Sequence, residues 1–148
     1  GPVSQPGGSI HDFGDGTYLT DKLEVARLYA KTRAPGHPPR QAVLVVSLKA
    51  SEVGCILDLS TDPRWSEFFR KTPGGSMLLE LIKSGRMNEN YGRTFDAFLE
   101  TYAINRNSYD SIIGPEYVRG GNQLCLVHKM ARPTALVELV RARLRPAE

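Results

Sequence analysis

His11-Asp12-Phe13-Gly14-Asp15-Gly16-Thr17-Tyr18-Leu19-Thr20 is the stretch on which the reading of this chain turns. Two glycines one residue apart let a backbone come close to a flat or phosphorylated ligand, and the Tyr18 ring just after them can stack on one. A helical pattern follows at once. Asp21 with Glu24 three residues on forms a capping-box start, and Leu23, Ala26 and Ala30 recur at helical spacing until Pro35 stops the run. That predicts a helix over 21–33. The plainer readings are that Tyr18 is a core aromatic on a strand and His11 a turn residue bonded to its own backbone.

Working outward, residues 1–9 are turn formers without periodicity, a flexible leader or linker stump, and the structured domain is expected over 10–148. Gly1-Pro2 reads as the remnant of tag removal, which puts the natural start upstream. A loop over 35–39 leads to a continuous β-branched run over 42–48, the pattern of a buried strand, and a shorter strand is expected over 55–59. Asp62-Pro63 has the form of an N-cap followed by proline at the first helical position, launching a helix through Trp65, Phe68 and Phe69. Those three aromatics are core by their spacing. Ser76 is the expected cap of a second helix carrying Met77, Leu78, Leu81 and Ile82, and Phe95, Phe98, Leu99 and Tyr102 mark a third. Strands over 109–113 and 123–127 follow, joined by a loop over 114–122, and a basic helix over 134–144 closes the chain. Strands and helices are interspersed without regular alternation, which predicts an α+β domain.

At 148 residues, 41% hydrophobic and 24% charged, one globular domain accounts for the chain. The apolar runs are strand-length, far short of the ~20 residues of a membrane span. Cys55 and Cys125 both lie in apolar runs and read as buried free thiols, the usage of a reducing compartment. Three scattered histidines and two cysteines make no metal-ligand spacing. A net charge of +3 is too small to choose among nucleic acid, phosphates and acidic partners.

The segment from Gly14 to Thr20 resembles the Gly-x-Gly-x-Tyr strand and following helix of the His-Tyr-Glu class of ADP-ribosyltransferases, which includes diphtheria-like toxins, poly-ADP-ribose polymerases and bacterial polymorphic-toxin domains. Asn122-Gln123-Leu124-Cys125-Leu126-Val127-His128 is similar to the last catalytic strand of the polymerases, and 109–115 resembles small toxin domains of the same superfamily. The resemblance implies an α+β fold with a split β-sheet core and flanking helices. It also implies NAD as substrate, cleavage of the nicotinamide–ribose bond and transfer of ADP-ribose to a macromolecular acceptor, protein or RNA. Tyr18 would stack on nicotinamide, with Phe13, Gly14, Gly16, Thr17 and Asn122 lining the NAD site. Glu116, Tyr117 and Arg119, in the loop before the last strand, would face the acceptor. A domain of this kind is the C-terminal effector of a larger bacterial protein, delivered into the cytoplasm of a target cell and neutralised by a cognate immunity protein.

Two departures from the family pattern shape the expected chemistry. Gln123 stands where the polymerases have the glutamate that stabilises developing positive charge on the ribose. At ~4 Å and an effective dielectric of ~20 the missing charge is worth about 4 kcal/mol, roughly three decades in rate, so another carboxylate is required for a fast enzyme. Asp110 and Glu116 are the candidates, and Gln123→Glu is expected to speed NAD hydrolysis. The family's upstream His or Arg motif has no segment of its own. Either His11 takes that part, or Arg93 reaches in, or the domain does not turn over. The Glu-x-Glu pair of arginine-directed transferases is Gly121 and Gln123 here, which disfavours arginine as acceptor. If water replaces the acceptor, the site is an NAD glycohydrolase. The rivals are a metal-independent ribonuclease toxin using His11 or His128 with a basic surface that includes Arg141, Arg143 and Arg145, and a non-enzymatic binding module.

Overall fold

The structure is a computed structural model, and it describes residues 11–33, 42–85, 89–127 and 144–146. It is an α+β arrangement. Gly16–Thr20 (β1) leads into the helix Leu23–Arg33 (α1), then Ala42–Leu44 (β2), the short helix Ala50–Val53 (α2) and Ile56–Asp58 (β3). Three helices follow, Pro63–Lys71 (α3), Gly75–Ser84 (α4) and Glu89–Thr101 (α5), and a 3-10 turn over Arg106–Ser108 precedes Ser111–Pro115 (β4), Asn122–Val127 (β5) and Leu144–Pro146 (β6).

Four strands form the central sheet in the order β1-β5-β4-β3, while β2 and β6 pair separately. β5 runs antiparallel to both neighbours, and β3 lies parallel to β4. Parallel neighbours need a long crossover, and α3, α4 and α5 supply it. The register sets Gly16, Tyr18 and Thr20 opposite Val127, Cys125 and Gln123, and Cys125 and Gln123 opposite Ile112 and Gly114. Because side chains alternate along a strand, these residues share one face of the sheet.

That face is covered by aromatic side chains. Trp65, Phe68 and Phe69 from α3 meet Tyr91, Phe95 and Phe98 from α5, with Trp65 edge-on to Phe69 at 5.0 Å and to Phe98 at 5.1 Å between ring centroids. Spacings of three and four residues put each set on one helix stripe. Asp62 caps α3 by accepting the Arg64 N–H at 2.9 Å, with Pro63 at the first position, as the sequence predicts.

Elsewhere the structure departs from the sequence expectations. The run over 42–48 forms a strand only to Leu44, and Val45 is exposed; it pairs with β6 and is not a buried strand of the central sheet. β3 is an edge strand, so Ile56 and Cys55 are exposed while Leu57 and Leu59 are buried. Neither cysteine is in a disulfide, but only Cys125 is buried. α1 starts two residues late because Asp21 is spent elsewhere: its carboxylate accepts the Asn122 N–H at 3.0 Å and its own N–H donates to the Asn122 carbonyl. Val25 is buried and Leu23 is exposed on α1. The turn over 72–75 runs straight into α4, the Gly75 N–H donating to Thr72, so Ser76 lies inside the helix rather than capping it. β4 begins at Ser111, two residues later than expected. Residues 134–143 of the expected closing helix, the leader over 1–9, His37, His128, Arg141 and Arg143 lie outside the described residues. Leu144 and Arg145 belong to β6.

Candidate active site

Residues 11–15 double back along the covered face of the sheet, with hydrogen bonds to Tyr18 and Arg106 among their anchors. Gly14 takes a φ of +83°, open to glycine at little cost. A side chain there would meet the Arg106 guanidinium at 3.0 Å. Gly16 leaves room for β5, since a Cβ would collide with the Cys125 sulfur and lie 2.7 Å from the Leu126 carbonyl oxygen. Both glycines therefore serve close approach of protein to protein. Phe13 is fully buried, edge-on to Tyr91 and Phe95, with its ring filling the space beside Gly114. It is a core residue and cannot line a ligand site. Tyr18 closes the turn from below: its hydroxyl accepts the Phe13 N–H at 2.8 Å and donates to the Gly14 carbonyl at 2.6 Å. Burial pushes the phenol far above its ordinary value, so it acts as a neutral hydrogen-bonding group.

Arg106 clamps the same turn from the far side of the chain. Its Nε donates to the Phe13 carbonyl at 2.7 Å and its guanidinium also bonds the Asp15 carbonyl. Nothing in the sequence signalled it, because the partners are backbone carbonyls more than ninety residues away, 93 in the case of Phe13. Hydrogen bonds to charged groups contribute about 1.5–3 kcal/mol each, and partial exposure discounts the pair. Arg106→Ala is therefore expected to lower unfolding stability by about 2 kcal/mol in urea denaturation; an unchanged midpoint would show that the turn holds without it. Arg93, the arginine singled out from sequence, is exposed on α5.

With the turn held this way, Asp12 projects onto the start of β5. The Gln123 side-chain amide donates to Asp12 Oδ2 at 2.7 Å and more weakly to the Pro115 carbonyl at 3.4 Å. The carboxylate absent from position 123 thus stands one hydrogen bond away, supplied by a residue 111 positions earlier. Burial, and secondarily the negative charge of Glu116, pushes the Asp12 carboxyl up to about 6, against the lowering effects of the Gln123 bond, His11 and Arg119. The His11 ring lies 5.4 Å from the Tyr18 ring. His11, Asp12, Tyr18 and Gln123 are therefore gathered where the C-terminal ends of β1 and β4 meet the N-terminal end of β5.

The remaining sequence candidates separate. Asp110 sits at the opposite end of β4, where it accepts the Cys55 N–H at 2.8 Å and tethers β3. Gln123 pairs with Gly114, four residues further along that strand, so Asp110 cannot supply the missing charge. Glu116 is only 8% exposed, and its carboxylate accepts the N–H groups of Val118 and Arg119, organising the loop from within. Tyr117 is turned inward as well, its hydroxyl accepting the Trp65 Nε1–H at 3.1 Å. Of the three loop residues expected to face an acceptor, only Arg119 is exposed, with its guanidinium over the Tyr29 ring at 4.6 Å and bonded to the Tyr29 hydroxyl. Thr17 is half-buried on β1, opposite Leu126, and Asn122 is occupied at its backbone by Asp21. Among the described residues no group of His, Cys, Asp and Glu is arranged to hold a metal ion, and no helix is long and apolar enough to cross a membrane.

Asp12, like Arg106, has no place among the residues expected from sequence. The available signal was its place beside His11, within the stretch already singled out. Comparison of the chain with protein-family models, with curated proteins and with solved structures finds no match.

Proposed function

We propose that the chain is an NAD-consuming domain of the ADP-ribosyltransferase kind, which breaks the nicotinamide–ribose bond and passes ADP-ribose to a macromolecule. The observation that carries the reading is the Asp12–Gln123 pair: an amide that can hydrogen-bond a ribose hydroxyl, backed by a carboxylate at 2.7 Å. Positive charge builds on the ribose as the bond to nicotinamide breaks, and a fixed negative charge in a half-buried site stabilises it more than water would. The Tyr18 and His11 rings, tilted 32° to each other, supply aromatic surface beside the pair, and Arg119 supplies a positive charge felt by Asp12. In this reading the domain is a toxin-type effector acting in a target-cell cytoplasm, with an immunity protein as its neutralising partner, and water in place of the acceptor makes it a glycohydrolase.

One observation favours a second reading. Asp12 and His11 are adjacent groups able to exchange protons without a metal, and cleavage of RNA through its 2′-hydroxyl needs a base and an acid so placed. A single assay separates the two: the purified chain is incubated with NAD and with bacterial lysate, and free nicotinamide and RNA integrity are followed together. Nicotinamide release with intact RNA is expected. RNA cleavage in the absence of NAD would replace the first reading with the second.

A further inference from the structure

We infer that Asp12 is the general base of this reaction, taking the proton from a neutral hydroxyl acceptor or from water; the inference rests on the NAD-cleaving reading above. Gln123 engages Oδ2, and Oδ1 carries no hydrogen bond among the described residues. One oxygen is therefore fixed and the other is left for a proton. A base is most effective when its proton affinity lies near the working pH, and the surroundings of Asp12 move it that way. Burial and Glu116 raise its affinity for a proton, opposed by the amide of Gln123 and the charges of His11 and Arg119, while Tyr18 and Tyr91 sense its charge from the core side.

The step balances without a further reagent. The bond between the ribose carbon and the nicotinamide nitrogen breaks, and nicotinamide leaves neutral with the electron pair. The hydroxyl oxygen bonds the ribose carbon, and its proton passes to the Asp12 carboxylate. The same surroundings select the acceptor. A carboxylate acceptor would be repelled by Asp12 and Glu116. A guanidinium holds its proton with a pKa above ~12, out of reach of a base of this strength, and brings a second positive charge beside Arg119. Hydroxyl groups remain.

The test uses the purified chain with NAD, methanol as the hydroxyl probe and agmatine as the guanidinium probe, with nicotinamide release followed across the acidic and neutral range. The wild-type rate is expected to fall on the acid side with a midpoint near 6, and methanol should be converted to methyl ADP-ribose while agmatine yields no adduct. Asp12→Asn is expected to lower the rate by about 10²–10⁴-fold and to remove the acid limb. Glu116→Gln keeps an acceptor oxygen for its loop and is expected to move that limb to lower pH. An Asp12→Asn variant that retains either the wild-type rate or the acid limb overturns the inference and leaves NAD cleavage standing, and an agmatine adduct overturns the acceptor class. No nicotinamide release by the wild type at any pH, with or without lysate, overturns the NAD reading and this inference with it.

Discussion

Asp12→Asn is expected to stabilise the folded chain at pH 8 by about 3 kcal/mol, even as it removes activity. The carboxyl is raised from 3.8 to about 6 in the folded state, with burial the largest cause. Between those values the folded protein holds a proton that the unfolded chain has released, so stability falls as pH rises through this window and stays low above it. Roughly two units at about 1.4 kcal/mol each give the figure. An asparagine avoids the cost, because its amide oxygen still accepts the Gln123 hydrogen bond and carries no charge to desolvate. For a chain of this length the gain corresponds to an increase in melting temperature on the order of 10 °C. The difference should shrink to near zero below about pH 3, where the wild-type carboxyl is neutral in both states. Thermal melts of the two proteins across pH provide the check. Equal stability at all pH would mean that Asp12 is well solvated and not poised for chemistry.

Gln123→Glu should act in the opposite direction. It brings a second carboxylate against the first, across a contact now 2.7 Å long, with Glu116 close by. Two ionised carboxylates cannot share such a site, and one proton is retained between them. The pair's proton affinity in the folded state therefore rises above that of Asp12 alone. Stability is lost as pH increases through the pair's range, by about 3 kcal/mol at pH 8, and recovers in acid. The sequence alone suggested that this change would restore a missing charge and speed NAD hydrolysis. With Asp12 in place, the pair carries about one negative charge at neutral pH, the same as the wild type, and the amide donor is gone. Nicotinamide release at pH 7 is now expected to fall. An increase would show that Asp12 does not supply the charge.

The contrast between these expectations and the sequence reading lies in what local pattern can record. Helix α3 was legible because its signals sit within nine residues: an Asp-Pro start and aromatics three and four apart. β5 was legible as a short apolar run. The stretch over 42–48 misled because a β-branched run states a preference for extended backbone without naming a partner; β2 ends at Leu44, where its three pairs with β6 end. Cys55 was misplaced for a related reason, since whether a strand lies at an edge is a property of the sheet.

The site divides along the same line. Gly14, Gly16 and Tyr18 were found from their spacing, but their reasons are internal: a left-handed turn, close packing on β5 and a hydroxyl that closes the turn. Phe13 and Tyr18 are both aromatics of one short segment, and only the fold decides that Phe13 is wholly buried while Tyr18 reaches the rim. Asp12 and Gln123 were both within segments already singled out, yet their pairing spans 111 positions and depends on the turn that Arg106 holds. No local motif encodes such a pairing. The burial that makes it costly is also what a catalytic carboxyl needs, so the least stable ionised group in the sequence stretch is the one assigned the chemistry.

The most direct test is an NMR titration of the Asp12 carboxyl carbon together with the side-chain amide of Gln123, in the free protein and with NAD added. A carboxyl midpoint near 6 is expected, with an amide resonance that titrates at the same midpoint and displacement of both signals by NAD. A carboxyl that titrates near its ordinary value, with a Gln123 amide indifferent to pH and to NAD, would contradict that expectation.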